Sequence, residues 1–303
     1  MQDSRTLIFG KDGQAGKALQ AKFANNPHIN FIGRNECDLE STDQISATLQ
    51  KFKPQIIINA AAYTAVDKAE QEIELSNQIN ATAPRLMAKY ISQTPNGQLV
   101  HYSTDYVFDG SKNFSYLESD LTGPLGQYGK SKLSGEITIQ DIFKSKTNST
   151  SKYFILRTSW VYGDGSNFIK KMLRLAQERD QLKVIFDQHG VPSSAEWLAQ
   201  IVIQLIASDA KSGIYHSVPD GQTTWHGLAC FAIQTAKELG CTLKVNPQAI
   251  QASPATEYPL PAPRPYNSRM DNHKLKDALQ IAHFPQWESQ VSEYVKKIVS
   301  QQK

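Results

Sequence analysis

The sequence predicts an α/β fold in which helices wind around both faces of a parallel β-sheet. Short apolar runs alternate with amphipathic helical segments over the first 186 residues, the pattern of successive β–α–β units with right-handed crossovers. A glycine-rich turn follows the first run directly. Beyond residue 186 the alternation fades and glycine and proline become frequent, so a smaller C-terminal lobe is expected.

Composition excludes several classes of protein. The chain has 303 residues with 40% hydrophobic content, enough for a substantial core. Its 32 basic and 29 acidic residues are scattered, so neither nucleic acid nor a membrane surface is an expected partner. Cys37, Cys230 and Cys241 form no CxxC motif, which argues against a disulfide framework or a zinc site. The sequence shows neither a signal segment nor a membrane span, and a soluble cytoplasmic protein is the default expectation.

The first apolar run, residues 5–10, leads through a GxxGxxG turn into a helix at residues 17–23. Glycines there let backbone N–H groups at a helix N-terminus approach a pyrophosphate, although they can also serve the turn alone. The arrangement predicts a Rossmann-type dinucleotide-binding domain at residues 1–186. Residues 187–303 then form mainly the substrate-binding lobe, with possible chain exchange between lobes. The predicted pyrophosphate-binding residues are Gly10, Gly13, Gln14, Ala15 and Gly16.

The second run, residues 28–33, ends at Arg34, where an NAD-selective site usually has a carboxylate for the ribose hydroxyls. Arg34 could instead bind the 2′-phosphate of NADPH, or it could be a solvated surface arginine; both interpretations remain open. Asp38 and Leu39 follow in a loop that could hold the adenine, and Ser41 or Thr42 is expected to cap the next helix.

Small residues follow the third run, residues 55–59, and leave room for a ligand at the carboxyl end of that strand. A helix is predicted at about residues 74–93, and Asn80 is polar within its apolar pattern. A buried amide needs partners, so Asn80 should either bond to backbone groups or order a water molecule. The small residues and their neighbour that are expected beside the cofactor are Ala60, Ala61, Ala62 and Tyr63.

Hydroxyl and carboxyl groups follow the fourth run, residues 98–102. Because parallel strands deliver their carboxyl ends to one crevice, the Thr104 hydroxyl there could bind a substrate carbonyl. Residues 109–126 form the expected loop over that crevice and lead into a helix.

That helix carries Tyr128 and Lys132, whose spacing of four stacks both side chains on one face. Tyrosine acts as a general acid near neutrality only if its pKa falls from about 10, and a neighbouring ammonium is a natural cause of such a fall. Taken alone, the pair is more typical of an ordinary exposed face of an amphipathic helix. Together with the Thr104 hydroxyl, it predicts a catalytic group.

Downstream, a fifth strand is predicted at residues 153–157 and a sixth at 182–186, with an amphipathic helix beginning near Asn167 between them. Further helices are predicted at residues 194–207 and 224–239, and a strand at 213–216. A segment with five prolines then carries Arg264, with Arg269 soon after it. Two arginines at the rim of a cleft would suit a diphosphate, although surface arginines in a loop are more common.

Several linked motifs, spread over nearly the whole chain, closely resemble the dTDP-4-dehydrorhamnose reductase family of extended short-chain dehydrogenases. Such a series in order is far more specific than any one motif. The motifs are the glycine turn, NAAAYTAVDKAE at residues 59–70, STDYVFDG at 103–110, YGKSK at 128–132, RTSWVYG at 157–163, DQHGVP at 187–192, TWH at 224–226 and RPYNSR at 264–269.

The resemblance implies reduction of the C4 keto group of a dTDP-4-keto-6-deoxy-L-hexose by NADPH or NADH, giving dTDP-L-rhamnose for cell-surface polysaccharide such as O antigen. Thr104, Tyr128 and Lys132 match the catalytic triad, and Lys132 would also hold the nicotinamide ribose. Asp38, Leu39 and residues 60–63 match the cofactor site. The residues expected to bind substrate are Val66, Thr104, Asp105, Tyr106, Trp160, Asn167, Arg264 and Arg269.

The sequence departs from the family pattern in a few places. Residues 126–127 are Gly-Gln where Asn-Val is common, and residues 144–152 resemble a small polar insertion. Some members are dimers bridged by Mg²⁺, but here Lys17 and Ala18 stand where an acidic ligand is expected, so the bridge is doubtful although Glu196 remains available. No metal site is therefore assigned, and a monomer or a homodimer is expected.

Two rival functions remain open. One is a related nucleotide-sugar epimerase or dehydratase, which would keep an oxidised cofactor bound; the Trp160 motif and residues 103–105 favour the reductase. The other is a non-catalytic subunit resembling the regulatory β subunit of methionine adenosyltransferase. That branch departs from the Ala60–Tyr63 and Trp160 patterns, which this chain keeps.

Overall fold

The structure is a computed structural model that describes residues 4–24, 26–146 and 150–301. The predicted polar insertion at residues 144–152 therefore lies partly outside the described residues, because 147–149 are not among them. The elements of the first half are β1 (Thr6–Phe9), α1 (Gln14–Lys22), β2 (Ile29–Ile32), α2 (Thr42–Phe52), β3 (Ile56–Asn59), α3 (Val66–Ala69), α4 (Ile73–Asn77), a π-helical segment (Gln78–Thr82), α5 (Ala83–Ile91), β4 (Gln98–Thr104), a 3₁₀ turn (Asp105–Val107) and α6 (Gln127–Lys144).

The second half contains shorter strands between longer helices. Its elements are β5 (Lys152–Thr158), β6 (Val161–Tyr162), α7 (Phe168–Glu178), β7 (Lys183–Ile185), β8 (His189–Gly190), β9 (Ser193–Ser194), α8 (Ala195–Ala207), β10 (Gly213–His216), β11 (Thr223–Thr224), α9 (Trp225–Glu238), 3₁₀ turns at Pro247–Ala249 and Ala255–Glu257, β12 (Gln251–Ser253), α10 (His273–Leu279) and α11 (Trp287–Ser300).

A six-stranded sheet in the order β10-β5-β4-β3-β1-β2 organises the molecule, and its neighbouring strands are parallel. The strand order reverses at β1, which pairs with β2 on one side and with β3 on the other. Such a switch point leaves a crevice beyond the carboxyl ends of the strands, where ligands bind in open α/β sheets. The predicted doubly wound α/β fold is confirmed.

Both faces of the sheet are buried, which explains why the strands appear in the sequence as continuous apolar runs. Successive side chains point to opposite faces, so Ile8 and Ile58 enter one core while Leu7 and Ile57 enter another. A third core lies outside the sheet and contains residues of α7, α9 and α11. Helices therefore cover the sheet on both sides, and the later helices build a separate apolar cluster.

The sixth strand was predicted at residues 182–186, and its placement in this sheet was wrong. Lys183–Ile185 does form a strand, β7, but it pairs with β12 in a separate two-stranded ladder. The central sheet is completed by β10, which pairs with β5. Val184 of β7 belongs to the third core, whereas Tyr215 of β10 packs into a core of the sheet. The two strands are therefore buried in different cores, in keeping with their different partners.

The C-terminal part of the chain returns to the main sheet more than once. Helix α8 contributes Leu205 to the core that contains Ile8, and α10 contributes Leu275 to the same core. Between them, α9 packs in the third core through Leu228. The division into domains at residue 186 remains a prediction, but the chain beyond it clearly serves both parts.

The helix predicted at residues 74–93 contains an irregularity that the sequence pattern did not indicate. Helices α4 and α5 are joined by five residues of π-helix, Gln78–Thr82. Asn80 lies in this segment and is buried. Its Oδ1 accepts from the backbone N–H of Tyr63 at 2.9 Å, and its Nδ2 donates to the Tyr63 carbonyl at 3.0 Å and to Ser131 Oγ at 2.9 Å. Of the two predicted roles, backbone bonding is therefore the one that the structure shows.

Candidate active site

A cavity of about 740 Å³ lies at the carboxyl ends of the central strands. Residues after β1, β3 and β4 form one side, and residues of the second half, including Trp160 and Trp225, form the other. The predicted residues that line it are Gly10, Gly13, Gln14, Ala15, Arg34, Asp38, Leu39, Ala60, Ala61, Ala62, Val66, Thr104, Asp105, Tyr106, Tyr128, Lys132 and Trp160.

The glycine turn has the geometry that its sequence requires. Gly10 has φ of 88°, and a Cβ there would lie 2.6 Å from the backbone nitrogen of Ala61. A Cβ on Gly16 would lie 2.0 Å from the carbonyl oxygen of Gly10, so Gly16 allows α1 to pack onto the turn without itself lining the cavity. The first turn of α1 carries no carboxylate, and Gly13, Gln14 and Ala15 at its N-terminal end line the cavity. This helix N-terminus is suited to an anionic group.

Arg34 lies at the cavity edge next to Asp38, beyond β2. Its side chain is 68% exposed and pairs with Glu40, and its Nε lies 3.9 Å from Asp38 Oδ1. Ser41 caps α2 by accepting a hydrogen bond from the Gln44 backbone N–H at 3.2 Å, which fixes the loop. The guanidinium thus borders the cavity, and the carboxylates of Asp38 and Glu40 offset its positive charge.

Thr104, Asp105 and Tyr128 form a connected group deeper in the cavity. The Thr104 hydroxyl donates to Asp105 Oδ1 at 2.9 Å and is close enough to the Tyr128 hydroxyl to influence the pKa of that phenol. Burial raises the pKa of Asp105 to about 6, well above the ordinary range of an aspartate carboxyl group. The ring of Tyr106 packs edge-on against the ring of Tyr128, with centroids 5.8 Å apart. The phenol is thereby held against a hydroxyl at the end of β4.

Lys132 lies on the same face of α6 as Tyr128, as its spacing predicted, and is only 1% exposed. Its Nζ donates to the Tyr102 carbonyl at 2.5 Å and lies 3.2 Å from His101 Nε2. Burial lowers the pKa of Lys132 to about 8. The amine is therefore directed at β4.

The expectation that Lys132 lowers the pKa of Tyr128 is not met in this structure. Burial raises the pKa of Tyr128 to about 12, and the lowering contribution comes from the Thr104 hydroxyl. The physical reason is direction, because Lys132 is turned toward the Tyr102 carbonyl while desolvation disfavours the phenolate. The protonated phenol is the stable form, as a proton donor requires.

A buried ion pair joins α6 to the central sheet. Glu136, one turn after Lys132, accepts from Arg157 of β5 at 2.7 Å and from the Ser103 hydroxyl at 2.5 Å. Glu136 and Arg157 are 0% and 2% exposed, and the guanidinium also lies 5.0 Å from the ring centroid of Phe108. These contacts fix α6, which carries the catalytic candidates, to β4 and β5.

Trp160 and Trp225 form an aromatic wall, with rings stacked 3.7 Å apart at an angle of 15°. Trp160 has φ of 46°, a left-handed conformation that is rare for a bulky residue, and a Cβ on Gly190 would lie 2.7 Å from its ring. Trp225 was not singled out as a site residue from the sequence. Its place in the TWH motif at residues 224–226 was the available signal, but nothing in the sequence showed that its ring would stack on Trp160.

Two residues that line the cavity carry buried polar atoms without a partner in the described part of the chain. Gln14 Oε1 and the Thr158 hydroxyl are buried and have no hydrogen-bond partner among the described residues. Such atoms are suited to bonding with a ligand. Thr158 was missed from the sequence, although its position directly after a buried strand is the same signal that identified Thr104.

Several predicted site residues do not line the cavity. Tyr63 donates from its hydroxyl to Glu72 at 2.6 Å, and Asn167 caps α7 and donates to Tyr294 at 2.7 Å. Arg264 forms a two-pronged pair with Asp67, at 2.7 and 2.8 Å, and also contacts the Tyr106 hydroxyl. Each has another partner in this conformation, and their roles toward a ligand remain predictions.

Arg269 also lies away from the cavity. Its Nε donates to Asn267 Oδ1 at 2.7 Å, and its Nη2 donates to the Asn113 carbonyl at 2.7 Å. The guanidinium thus joins the loop after β4 to the segment that precedes α10. In this conformation it positions a loop, and its predicted contact with a diphosphate stays a prediction.

The described residues contain neither a cluster suited to a metal ion nor a membrane-spanning helix. Within them, no group of three or more His, Cys, Asp or Glu side chains could hold a metal ion. Glu196, the remaining candidate for a bridging metal, pairs with Lys297 at 2.6 Å. Across residues 4–24, 26–146 and 150–301, no helix is long and apolar enough to cross a membrane.

Comparison with known proteins covers almost the whole chain. A family model described as the RmlD substrate binding domain matches residues 4–300. A dTDP-4-dehydrorhamnose reductase of Salmonella typhimurium is 42% identical over 291 residues, which are 93% of this chain and 94% of that protein. This finding confirms the resemblance that the motifs indicated.

Solved structures agree. A dTDP-4-dehydrorhamnose reductase from Bacillus anthracis, in complex with NADP, has a TM-score of 0.85 at 32% identity and covers 97% of this chain and 99% of its own. An enzyme of the same name from Clostridium acetobutylicum has a TM-score of 0.85 at 30% identity with the same coverage. On the evidence of its cavity, its motifs and these relatives, the chain belongs to the dTDP-4-dehydrorhamnose reductase family.

Proposed function

We propose that this protein is an NADPH- or NADH-dependent oxidoreductase that reduces the C4 keto group of dTDP-4-dehydrorhamnose to give dTDP-L-rhamnose, the last step in making that sugar nucleotide. One observation carries the proposal: the glycine turn and the group Thr104, Tyr128 and Lys132 open into a single cavity. A reductase needs these two parts together, because one holds the cofactor and the other handles the proton.

The residues present fit a nicotinamide dinucleotide. The uncapped start of α1 is suited to a pyrophosphate, and residues 60–62 leave space beside it. The buried oxygens of Gln14 and Thr158 are further bonding positions. The cofactor, when bound, would supply the hydride. Arg34, Asp38 and Leu39 would hold its adenosine end, and Lys132 would bond to its nicotinamide ribose.

The chain's own groups account for the proton. Thr104 would donate its hydroxyl to the substrate carbonyl, and Tyr128 would give its phenolic proton to the oxygen that becomes a hydroxyl. The high pKa of Tyr128 keeps that proton in place until the acceptor becomes an alkoxide, which is a much stronger base. The stacked Trp160 and Trp225 form an aromatic wall that would keep water from one side of the substrate. Asp105 and Tyr106 would orient the sugar from the other side.

A cofactor-oxidation assay tests the proposal directly. The purified protein is mixed with NADPH and a dTDP-4-keto-6-deoxy sugar, with and without the epimerase that supplies the L-configured isomer, and absorbance of the reduced cofactor is followed. We expect oxidation only when the L-configured keto sugar is present, with a dTDP-deoxyhexose as product. Absence of oxidation despite measurable binding of both ligands would contradict the proposal.

The rival functions predict different outcomes of the same assay. An epimerase or dehydratase would be purified with an oxidised cofactor bound and would not consume NADPH. A regulatory subunit would bind cofactor without turnover. The intact Thr104, Tyr128 and Lys132 group in the cavity favours an enzyme over a regulatory subunit. The relatives named dTDP-4-dehydrorhamnose reductase favour the reductase over an epimerase or dehydratase. A nucleotide-sugar substrate, a cytoplasmic location and a monomeric or dimeric state complete the proposal, and Mg²⁺ is not assigned a role.

Replacement of Arg34 should separate the two cofactors. Only NADPH carries the 2′-phosphate that a guanidinium could pair with, so Arg34→Ala should raise the Kd for NADPH about tenfold and leave the Kd for NADH nearly unchanged. Titration of intrinsic fluorescence measures both constants. Lys22→Ala, at the far end of α1, is the matched control for loss of a surface cation. Equal effects of Arg34→Ala on both cofactors would make Arg34 an ordinary surface residue.

Lys132 should impose a pH dependence on cofactor binding. Because burial lowers its pKa to about 8, the ammonium is present below that pH and is lost as the pH rises through it. Cofactor affinity should therefore fall above pH 8. In Lys132→Met the affinity should be weaker and should not change over the same range. Binding titrations on both sides of pH 8 check this. If Lys132→Met showed the same pH dependence of cofactor affinity as the wild type, Lys132 would not belong to the cofactor site.

A further inference from the structure

His101 lies in the middle of β4 and is completely buried. Its Nδ1 is 3.0 Å from Asn59 Nδ2, and its Nε2 is 3.2 Å from Lys132 Nζ. Burial and the nearby Lys132 hold the pKa of His101 well below its usual range, so the ring is neutral. A neutral imidazole has one N–H donor and one acceptor nitrogen. Both of its neighbours are nitrogen atoms that usually donate. The ring can accept from only one of them, so the other must accept a hydrogen bond from the ring.

The backbone decides which nitrogen of His101 carries the hydrogen. Asn59 Oδ1 accepts from the backbone N–H of Ala61 at 3.2 Å. A backbone N–H can only donate, so the amide oxygen of Asn59 must face Ala61 and its NH₂ group must face His101. His101 Nδ1 therefore accepts. The hydrogen of the neutral ring is then on Nε2, which points at Lys132.

An ammonium group cannot accept this N–H, because it has three donors and no lone pair. A neutral amine can accept it while it donates to the Tyr102 carbonyl, which lies 2.5 Å from Lys132 Nζ. The alternative is to rotate the Asn59 amide, which would set its NH₂ group against the Ala61 N–H. After that rotation two donors, the Asn59 NH₂ group and the Ala61 N–H, would face each other, and a backbone N–H cannot give up its hydrogen. Lys132, in contrast, can release a proton.

We propose that His101 is a positioning residue for Lys132: its ring, oriented by Asn59 and the Ala61 backbone, presents an N–H to the lysine nitrogen and favours the neutral amine. The role of Lys132 in the reaction belongs to the proposed function, and this inference rests on it for its biological meaning. Its consequence is that binding of an anionic cofactor is accompanied by proton uptake at Lys132.

The other groups around Lys132 do not reverse this effect. Glu136 on the same helix raises the pKa of Lys132, but its carboxylate is already paired with Arg157. Tyr128 is protonated and therefore adds no charge beside Lys132. The carboxyl group of Asp105 is hydrogen-bonded by the Thr104 hydroxyl. Burial lowers the pKa of Lys132 to about 8, in the same direction as the His101 N–H. A histidine that only filled the core would have no fixed hydrogen and no influence on Lys132.

Nitrogen-15 NMR of the histidine rings tests the first step without cofactor or activity. The chain has seven histidines, and the His101 signals are assigned by their loss in His101→Phe. We expect wild-type His101 at about pH 9, where Lys132 with its pKa of about 8 is a neutral amine, to show a protonated Nε2 and an unprotonated Nδ1. A protonated Nδ1, or a ring protonated on both nitrogens, would overturn the proposal.

Asn59→Asp tests the second step because it is almost isosteric and removes the donor. A carboxylate accepts from both Ala61 and His101, so the ring hydrogen should move to Nδ1 and Nε2 should become an acceptor. The ammonium of Lys132 is then favoured. Its titration midpoint, followed through the labelled Cε carbon and assigned by its loss in Lys132→Met, should rise by about one pH unit or more.

The added negative charge could raise that midpoint by itself, and a double-mutant cycle separates the two causes. In the His101→Phe background, Asn59→Asp keeps its charge but has no ring to reorient. We expect most of the rise to disappear there. A full rise in the double variant would show that His101 does not mediate the effect. Because these readouts need no turnover, failure of the reductase assay would leave them interpretable, and their failure would leave the reductase proposal intact.

Discussion

Tyr128→Phe is expected to remove nearly all turnover while cofactor affinity stays close to that of the wild type. The substitution deletes one oxygen, so the ring keeps its edge-on packing against Tyr106. What is lost is the proton donor beside the Thr104 hydroxyl. General acid catalysis is typically worth about 10²–10⁴-fold, and kcat should fall by that factor. Steady-state kinetics and fluorescence titration of cofactor binding measure the two effects separately.

A matched control is available in Tyr153→Phe. Tyr153 is half-buried in β5, where its ring packs 4.8 Å from that of Phe143, and it does not line the cavity. This control should turn over like the wild type. If Tyr128→Phe retained turnover within a factor of two or three of Tyr153→Phe, Tyr128 would not be the proton donor and the proposed mechanism would be wrong.

Glu136→Leu is expected to cause the largest loss of stability. It removes the carboxylate that pairs with Arg157 and leaves a guanidinium in a site where Arg157 is 2% exposed. Removing one partner of a buried ion pair typically costs about 3–5 kcal/mol, because the remaining charge is uncompensated. The free energy of unfolding, measured by urea titration, should fall by that amount. The Ser103 hydroxyl also loses its acceptor.

The double variant Glu136→Leu/Arg157→Met is the control for this prediction. It removes both charges and replaces them with apolar groups of similar size, which is often nearly neutral for stability. We expect it to be more stable than Glu136→Leu alone. If the double variant lost as much as the sum of the two single variants, the pair would contribute packing alone and its charges would not be coupled in the fold.

The strands of the central sheet were predictable where both of their faces are buried. The three consecutive isoleucines of β3 alternate between two cores and left a continuous apolar run in the sequence. The place of β7 was not predictable in the same way. Its run resembles a sheet strand, but its partner β12 is a short polar segment far away in the chain, so only tertiary contacts could assign it.

The catalytic candidates were predictable because their chemistry is local. Tyr128 and Lys132 are four apart on one helix, and Thr104 ends a buried strand. The direction of the Lys132 amine depends on the Tyr102 carbonyl and on the His101 ring, which belong to another element. His101 itself lies inside an apolar strand, where one polar residue is easily taken for a core histidine. Side-chain direction and tautomer are properties of the assembled site.

Residues from the start and from the end of the chain pack in the same core, and this limits when the protein can fold during synthesis. The core beneath the central sheet contains Ile8 from the start of the chain together with Leu275 and Phe284 from near its end. A nascent chain that has emerged only as far as β5 lacks the edge strand β10 and the helix α10. We therefore expect the cofactor-binding half to remain incomplete on the ribosome until nearly all of the polypeptide has been released, so its unfinished sheet edge is a natural target for chaperones.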